Sequence, residues 1–150
     1  MDHTAGLAGL IPDAETKVRW GGWLTNMVNG LLHQRRPALG EDDFGVRRCY
    51  YRAGNNKCAA GQLIPDHLYS GQMEGQSIAN VLCLWPEVKT ALGCKTEQDT
   101  TFLDMMQSRL HDTISVCGSK EFRQTVYDVG VAVAQVYGLP VKFVSLQEYQ

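Results

Sequence analysis

Residues 48–77 read RCYYRAGNNKCAAGQLIPDHLYSGQMEGQS, a run dense in turn formers, small residues, aromatics and charges. The segments 46–52 and 57–64 have the Val, Tyr, Cys and aliphatic content of short strands, and Ala53-Gly54-Asn55-Asn56 separates them. Gly and Asn tolerate positive φ, so the pattern predicts a β-hairpin over about 46–64. With Gly54-Asn55 as a two-residue turn, Tyr51 faces Cys58 and Cys49 faces Ala60. The two cysteines are then diagonal neighbours about 7 Å apart, too far for a ready disulfide. Ile64-Pro65-Asp66 closes the hairpin, and a proline in the first positions can open a helical turn.

Outward from this centre the period changes from two to about 3.6. On the N-terminal side Trp20, Leu24, Met27, Val28 and Leu31 gather on one helical face from Lys17 onward, with Gly21 and Gly22 expected to weaken the first turns. Pro37 is expected to stop this helix, and a polar loop, ALGEDDFG, follows. On the C-terminal side Gly71, Gly75 and Pro86 limit helix length, predicting short helices or turns at about 66–70, 74–83 and 86–92. A helix over 100–113 presents Leu103, Met106 and Leu110, with Thr96 or Thr100 as cap. A last helix over 119–137 presents Phe122, Val126, Val129, Val133 and Val136, and Gly138-Leu139-Pro140 ends it. The closing VKFVSLQEY alternates imperfectly and reads as a strand or extended tail. The expected fold is α+β: a mostly helical single domain over 16–150, with a small hairpin packed by the N- and C-terminal helices. Residues 1–15 are expected to form an irregular arm.

A chain of 150 residues with 44% hydrophobic content suits one core, which buries roughly two thirds of its unfolded surface. The net charge of −2 gives no global basic field, which argues against an extended grip on nucleic acid as the main activity. Lys17, Arg19, Arg35, Arg36, Arg47, Arg48, Arg52 and Lys57 nevertheless concentrate basic charge in the first two fifths of the chain, read as a solvated face. The N-terminus lacks the basic-then-apolar order of a secretory leader, and no apolar run approaches the roughly 20 residues of a membrane span. Five cysteines without a CxxC pair suit a reducing cytoplasm.

No common catalytic or phosphate-binding motif is present: neither GxxxxGK, the dinucleotide fingerprint, GxSxG, nor HExxH. Cys49, Cys58 and His67 are spaced too widely for a structural zinc site, so no metal or cofactor is expected. Cys58 beside Lys57 reads as a packed small residue rather than a nucleophile, because adjacent strand residues point to opposite faces. His111-Asp112 points about 100° apart on a helix and reads as a helix terminus rather than an acid/base pair. Trp20 and Trp23 lie on neighbouring flanks, so one could stay at the surface as a partner anchor. The best candidates are Arg52, Lys57, Asp66, Tyr69 and Glu74, polar residues around the hairpin and the Pro-Asp turn. They form either a binding rim or a structural clasp.

The run Cys49-Tyr50-Tyr51-Arg52, then Lys57-Cys58-Ala59-Ala60-Gly61-Gln62-Leu63-Ile64-Pro65-Asp66, Tyr69 and Glu74-Gly75, resembles a family of small uncharacterised proteins of tailed bacteriophages and prophages. The shared pattern is C-x-YR…KCA-x-G-x-LIPD-x-x-Y…EG. Gln34-Arg35-Arg36-Pro37 and Met106-Gln107…His111-Asp112 answer to its flanks, so the likeness spans roughly 18–139. Gln62 stands where many relatives carry a further cysteine. The resemblance implies a phage-encoded accessory protein working in the host cell cytoplasm. The leading expectation is a non-enzymatic binder of a host protein, inhibiting a defence or metabolic factor. The alternatives are a small-nucleotide binder with Arg52, Lys57 and Tyr69 on its rim, and a small hydrolase using Asp66, Glu74 or His111.

Overall fold

The computed structural model describes residues 10–34, 38–41, 44–45, 47–112 and 119–149. The fold is α+β and mostly helical, with helices α1 (Ala14–Gln34), α2 (Ile78–Leu84), α3 (Pro86–Leu92), α4 (Glu97–Asp112) and α5 (Ser119–Tyr137). Between α1 and α2 lie strands β1 (Leu39–Glu41), β2 (Arg47–Cys49), β3 (Arg52–Ala53) and β4 (Asn56–Lys57). Three single 3₁₀ turns follow, at Ala60–Gln62, Asp66–Leu68 and Gly71–Met73.

Helix α1 begins at Ala14, three residues before Lys17, because the Asp13 carboxylate accepts the Thr16 amide at 2.8 Å and caps the helix. Its apolar stripe is fully buried at Trp20, Leu24, Met27, Val28 and Leu31. Trp20 stacks on Phe102 of α4 with centroids 4.4 Å apart, and Tyr137 of α5 meets it edge-on at 5.9 Å. Trp23 is also buried, and its indole N–H donates to the Leu92 carbonyl at 3.0 Å. Neither Trp20 nor Trp23 therefore stays at the surface as an anchor. Packing on both flanks of α1 widens its apolar arc beyond one stripe.

Helix α5 packs along α1 through Phe122, Val126, Val129 and Val133, all fully buried. In its last turn Tyr137 takes the inward place, and Val136, at the edge of the arc, is 54% exposed. The left-handed Gly138 (φ 62°) ends the helix. The closing segment forms no strand: residues 141–145 run without regular structure into a 3₁₀ turn at Leu146–Tyr149, and α1 side chains take the place of a neighbouring strand. Asn29 donates to the Lys142 carbonyl and accepts the Val144 amide, both at 2.9 Å, while Thr25 accepts the Lys142 amide at 3.2 Å. Gly21 makes this approach possible, since a Cβ there would lie 2.3 Å from the Pro140 carbonyl oxygen.

The hairpin is two short antiparallel ladders rather than one long one. The turn falls at Gly54-Asn55 as expected, with Arg52 opposite Lys57 and Ala53 opposite Asn56. After Cys58 the chain curls into the Ala60–Gln62 turn, so the expected strand to residue 64 stops at Lys57. Cys49 therefore faces Leu39 rather than Ala60, and the segment expected to be only a polar loop supplies β1. Gly61 permits the curl: a Cβ there would lie 2.2 Å from the Tyr51 carbonyl oxygen. The helix expected at 74–83 begins at Ile78, capped by the Ser77 hydroxyl, because Gly75 adopts φ 80°.

Candidate functional site

All five candidate residues meet around the hairpin tip and the loop that follows it. The centre is Glu74, at the end of the Gly71–Met73 turn. Its carboxylate accepts the Tyr51 amide at 2.8 Å, the Arg52 amide at 3.2 Å and the Tyr69 hydroxyl at 2.5 Å. One side chain thus satisfies two backbone donors that the two-residue ladder β3–β4 leaves open, and ties the loop back to the hairpin. The Tyr51 hydroxyl makes a second tie by donating to the Gln76 carbonyl at 2.6 Å. Met73, with no exposed surface, anchors the loop in the core.

Arg52 reaches across to the other end of the loop. Its guanidinium donates to the Ile64 carbonyl at 2.7 Å, pairs with Asp66 at 2.7 Å, and lies over the Tyr69 ring at 4.7 Å. Lys57 meets the same Asp66 oxygen at 3.2 Å. Hydrogen bonding and charge from Lys57, then from Arg52, hold the Asp66 carboxyl below its ordinary range. Burial, reinforced by the bond to Glu74, pushes the Tyr69 phenol up to about 12. Tyr69 is therefore a neutral hydrogen-bond donor at neutral pH.

Sequence reasoning left open whether these residues form a rim or a clasp. Glu74, Tyr69 and Arg52 form a clasp around the loop, whereas Asp66, with its side chain 78% exposed, forms part of the surface. Asp66 and Glu74, the pair considered for acid/base work, have different surroundings. Asp66 sits against two cations, and Glu74 holds two amides and a phenol.

Helix side chains fasten the same segment from behind. Gln34 of α1 behaves as a third strand for Lys57, donating to its carbonyl at 2.6 Å and accepting its amide at 2.9 Å. Gln62 donates to Gln34 at 2.8 Å, and Gly30 leaves room for it. Gln107 of α4 accepts the Ala60 amide at 2.8 Å. Gln34 and Gln107 are the two glutamines in the flanks of the resemblance. Their work here is to satisfy the backbone of its central motif.

Of the cysteines, Cys58 is a buried thiol whose sulfur accepts the Gly61 amide at 3.4 Å, consistent with the packing role expected of it. Cys94 is buried beside the Thr100 hydroxyl, and Cys83 is exposed. His67 is exposed in the loop, and the side chains of Cys49 and His111 lie outside the described residues. Among the described residues no three His, Cys, Asp or Glu side chains gather as a metal site, and no helix is long and apolar enough to cross a membrane.

A second polar cluster escaped the sequence reading. Asp99, with no exposed surface, accepts from the Trp20 indole at 2.8 Å, Arg19 at 3.0 Å and the Lys95 and Thr96 amides at 2.8 and 3.1 Å. Burial opposes the charge, but these donors outweigh it and leave the carboxyl below its ordinary range. The detectable signal was Thr96-x-x-Asp99, a reciprocal cap in which the Thr96 hydroxyl accepts the Asp99 amide at 3.2 Å. The cluster joins the starts of α1 and α4, with Lys95 reaching Glu15 at 2.7 Å.

No family model matches the chain, and no match was found among curated proteins or solved structures.

Proposed function

We propose that the chain is a phage accessory protein that acts in the host cell cytoplasm by binding a host protein, and so inhibits a defence or metabolic factor. The contacting surface is the outer edge of the loop between Pro65 and Ser77. The observation that carries this reading is the ordering of that loop: Glu74, Tyr69, Arg52 and Tyr51 bind it at both ends, and Met73 pins its middle. Asp66, His67, Gly71, Gln72 and Gly75 remain exposed along its outer edge. A loop fixed before contact loses little conformational freedom on binding, and rigidly held loops are where recognition concentrates. The resemblance to phage proteins supplies the setting.

The test is retention of one host protein by the full chain, compared with a variant carrying His67→Glu and Gln72→Lys. Both positions are exposed and lie outside the clasp. The reading expects a partner that the wild type retains and that the variant, with an unchanged unfolding midpoint, loses. Absence of a retained partner, or equal retention by the variant, contradicts it.

A further inference from the structure

We propose that Arg52 and Lys57 form a receptor for a tetrahedral oxyanion, a phosphoryl group, and that the Asp66 carboxylate is its built-in resting occupant. This site does not depend on which macromolecule the loop contacts.

The first ground is the placement of the two cations. Arg52 and Lys57 are direct partners across β3–β4, so their side chains leave the same face of a two-residue ladder. Like charges directly opposite one another destabilise a hairpin.

The second ground is that both cations are more enclosed than the anion, and that Arg52 is anchored independently of it. Arg52 is held by the Ile64 carbonyl, by the Tyr69 ring, and at its backbone by Glu74. Lys57 has its backbone gripped from both sides by Gln34. Their side chains are 17% and 33% exposed, against 78% for Asp66. Asp66 begins a three-residue turn at the surface, and exposed ion pairs of this kind are weak. When the carboxylate turns into water, the Arg52 guanidinium keeps the Ile64 carbonyl and the Tyr69 ring.

The third ground is stoichiometry. One carboxylate oxygen meets both cations, at 2.7 and 3.2 Å, so two positive charges share one negative charge. The Arg52 Nε–H, a buried atom, has no hydrogen-bond partner among the described residues. A phosphoryl group brings up to two charges and three free oxygens, and guanidinium groups match that geometry. Glu74 is the opposing carboxylate nearby; its oxygens are turned to the amides of Tyr51 and Arg52 and to the Tyr69 hydroxyl.

The experiment titrates inorganic phosphate into the full chain at constant ionic strength, with chloride as the control, and follows backbone amide resonances. In the wild type the expected result is weak, saturable shifts confined to residues 52, 57 and 66–69. Asp66→Asn removes the competitor and is expected to tighten phosphate binding about tenfold, the scale of one unit charge beside a surface cation pair. Adding Lys57→Gln to Asp66→Asn is expected to abolish the gain. Equal binding by wild type and Asp66→Asn, shifts spread over the whole chain, or a gain that survives Lys57→Gln would each overturn the proposal. Because the wild-type titration localises binding by itself, a poorly folded variant would not shield the idea from refutation.

Discussion

In the helical part, Trp20, Leu24, Phe102 and Phe122 lie with no exposed surface against one another and against the aliphatic faces of α1, α4 and α5. Between residues 51 and 77 Tyr51, Ile64 and Met73 are buried beside the smaller Cys58, Ala59 and Ala60, and the chain is held by side chains that reach backbone amides and carbonyls: Glu74, Arg52, Gln34, Gln107 and Tyr51. The first region depends on burial, which is non-directional and tolerates adjustment. The second depends on directional bonds, each of which fails if its partner is removed. Local order in the hairpin and loop can therefore be lost while the helices stay folded.

The largest expected effect lies in the helical part. Trp20→Ala removes a fully buried indole and one of the donors to Asp99, and should cost about 3–5 kcal/mol in chemical denaturation. An effect under about 1 kcal/mol would show that α1 is not the centre of the core.

Asp99→Asn should follow at about 3 kcal/mol, since it leaves the Arg19 charge without its buried partner. The pH dependence has a definite sign. The folded carboxyl titrates below the unfolded value of about 3.9, so its stabilisation is present above that value and is lost as pH falls through the folded value. Unfolding midpoints measured from pH 5 to pH 2 should fall steeply for the wild type and less steeply for Asp99→Asn.

Glu74→Ala should cost about 2–3 kcal/mol, because two amides and one phenol lose their acceptor together. Asp66→Asn marks the lower end of the scale. Its partners are at the surface, and the thermal midpoint should stay nearly unchanged. A large loss there would move Asp66 into the clasp and remove it from the exposed edge.

The same contrast explains how much could be read in advance. Phe122, Val126, Val129 and Val133 announce α5 by their spacing, and its bounds at Ser119–Tyr137 coincide with the expected ones. The Gly54-Asn55 turn is equally legible, because positive φ is a local demand that residue type reveals. The end of β4 was not legible. Nothing in Cys58-Ala59-Ala60 marks a 3₁₀ turn; the curl depends on Gln107, forty-seven positions away, taking the Ala60 amide. Glu74 likewise acts on amides twenty-two and twenty-three positions back, beyond the reach of periodicity or capping rules. The five candidate residues stand out by their type and place around the hairpin, and their division into clasp and edge depends on the tertiary structure. Asp99 is not legible in the same way, because a lone acidic residue near a helix start resembles an ordinary cap until Arg19 and Trp20 arrive from α1.

Amide hydrogen exchange on wild type and Glu74→Ala, under conditions where both are globally folded, tests most directly whether the hairpin and loop are ordered by the clasp. The expected result is loss of protection at Tyr51, Arg52 and the amides of residues 69–76, with α1 and α5 still exchanging at the rate set by global unfolding. Unchanged protection in the loop, or a loss spread evenly over loop and helices, would contradict the account.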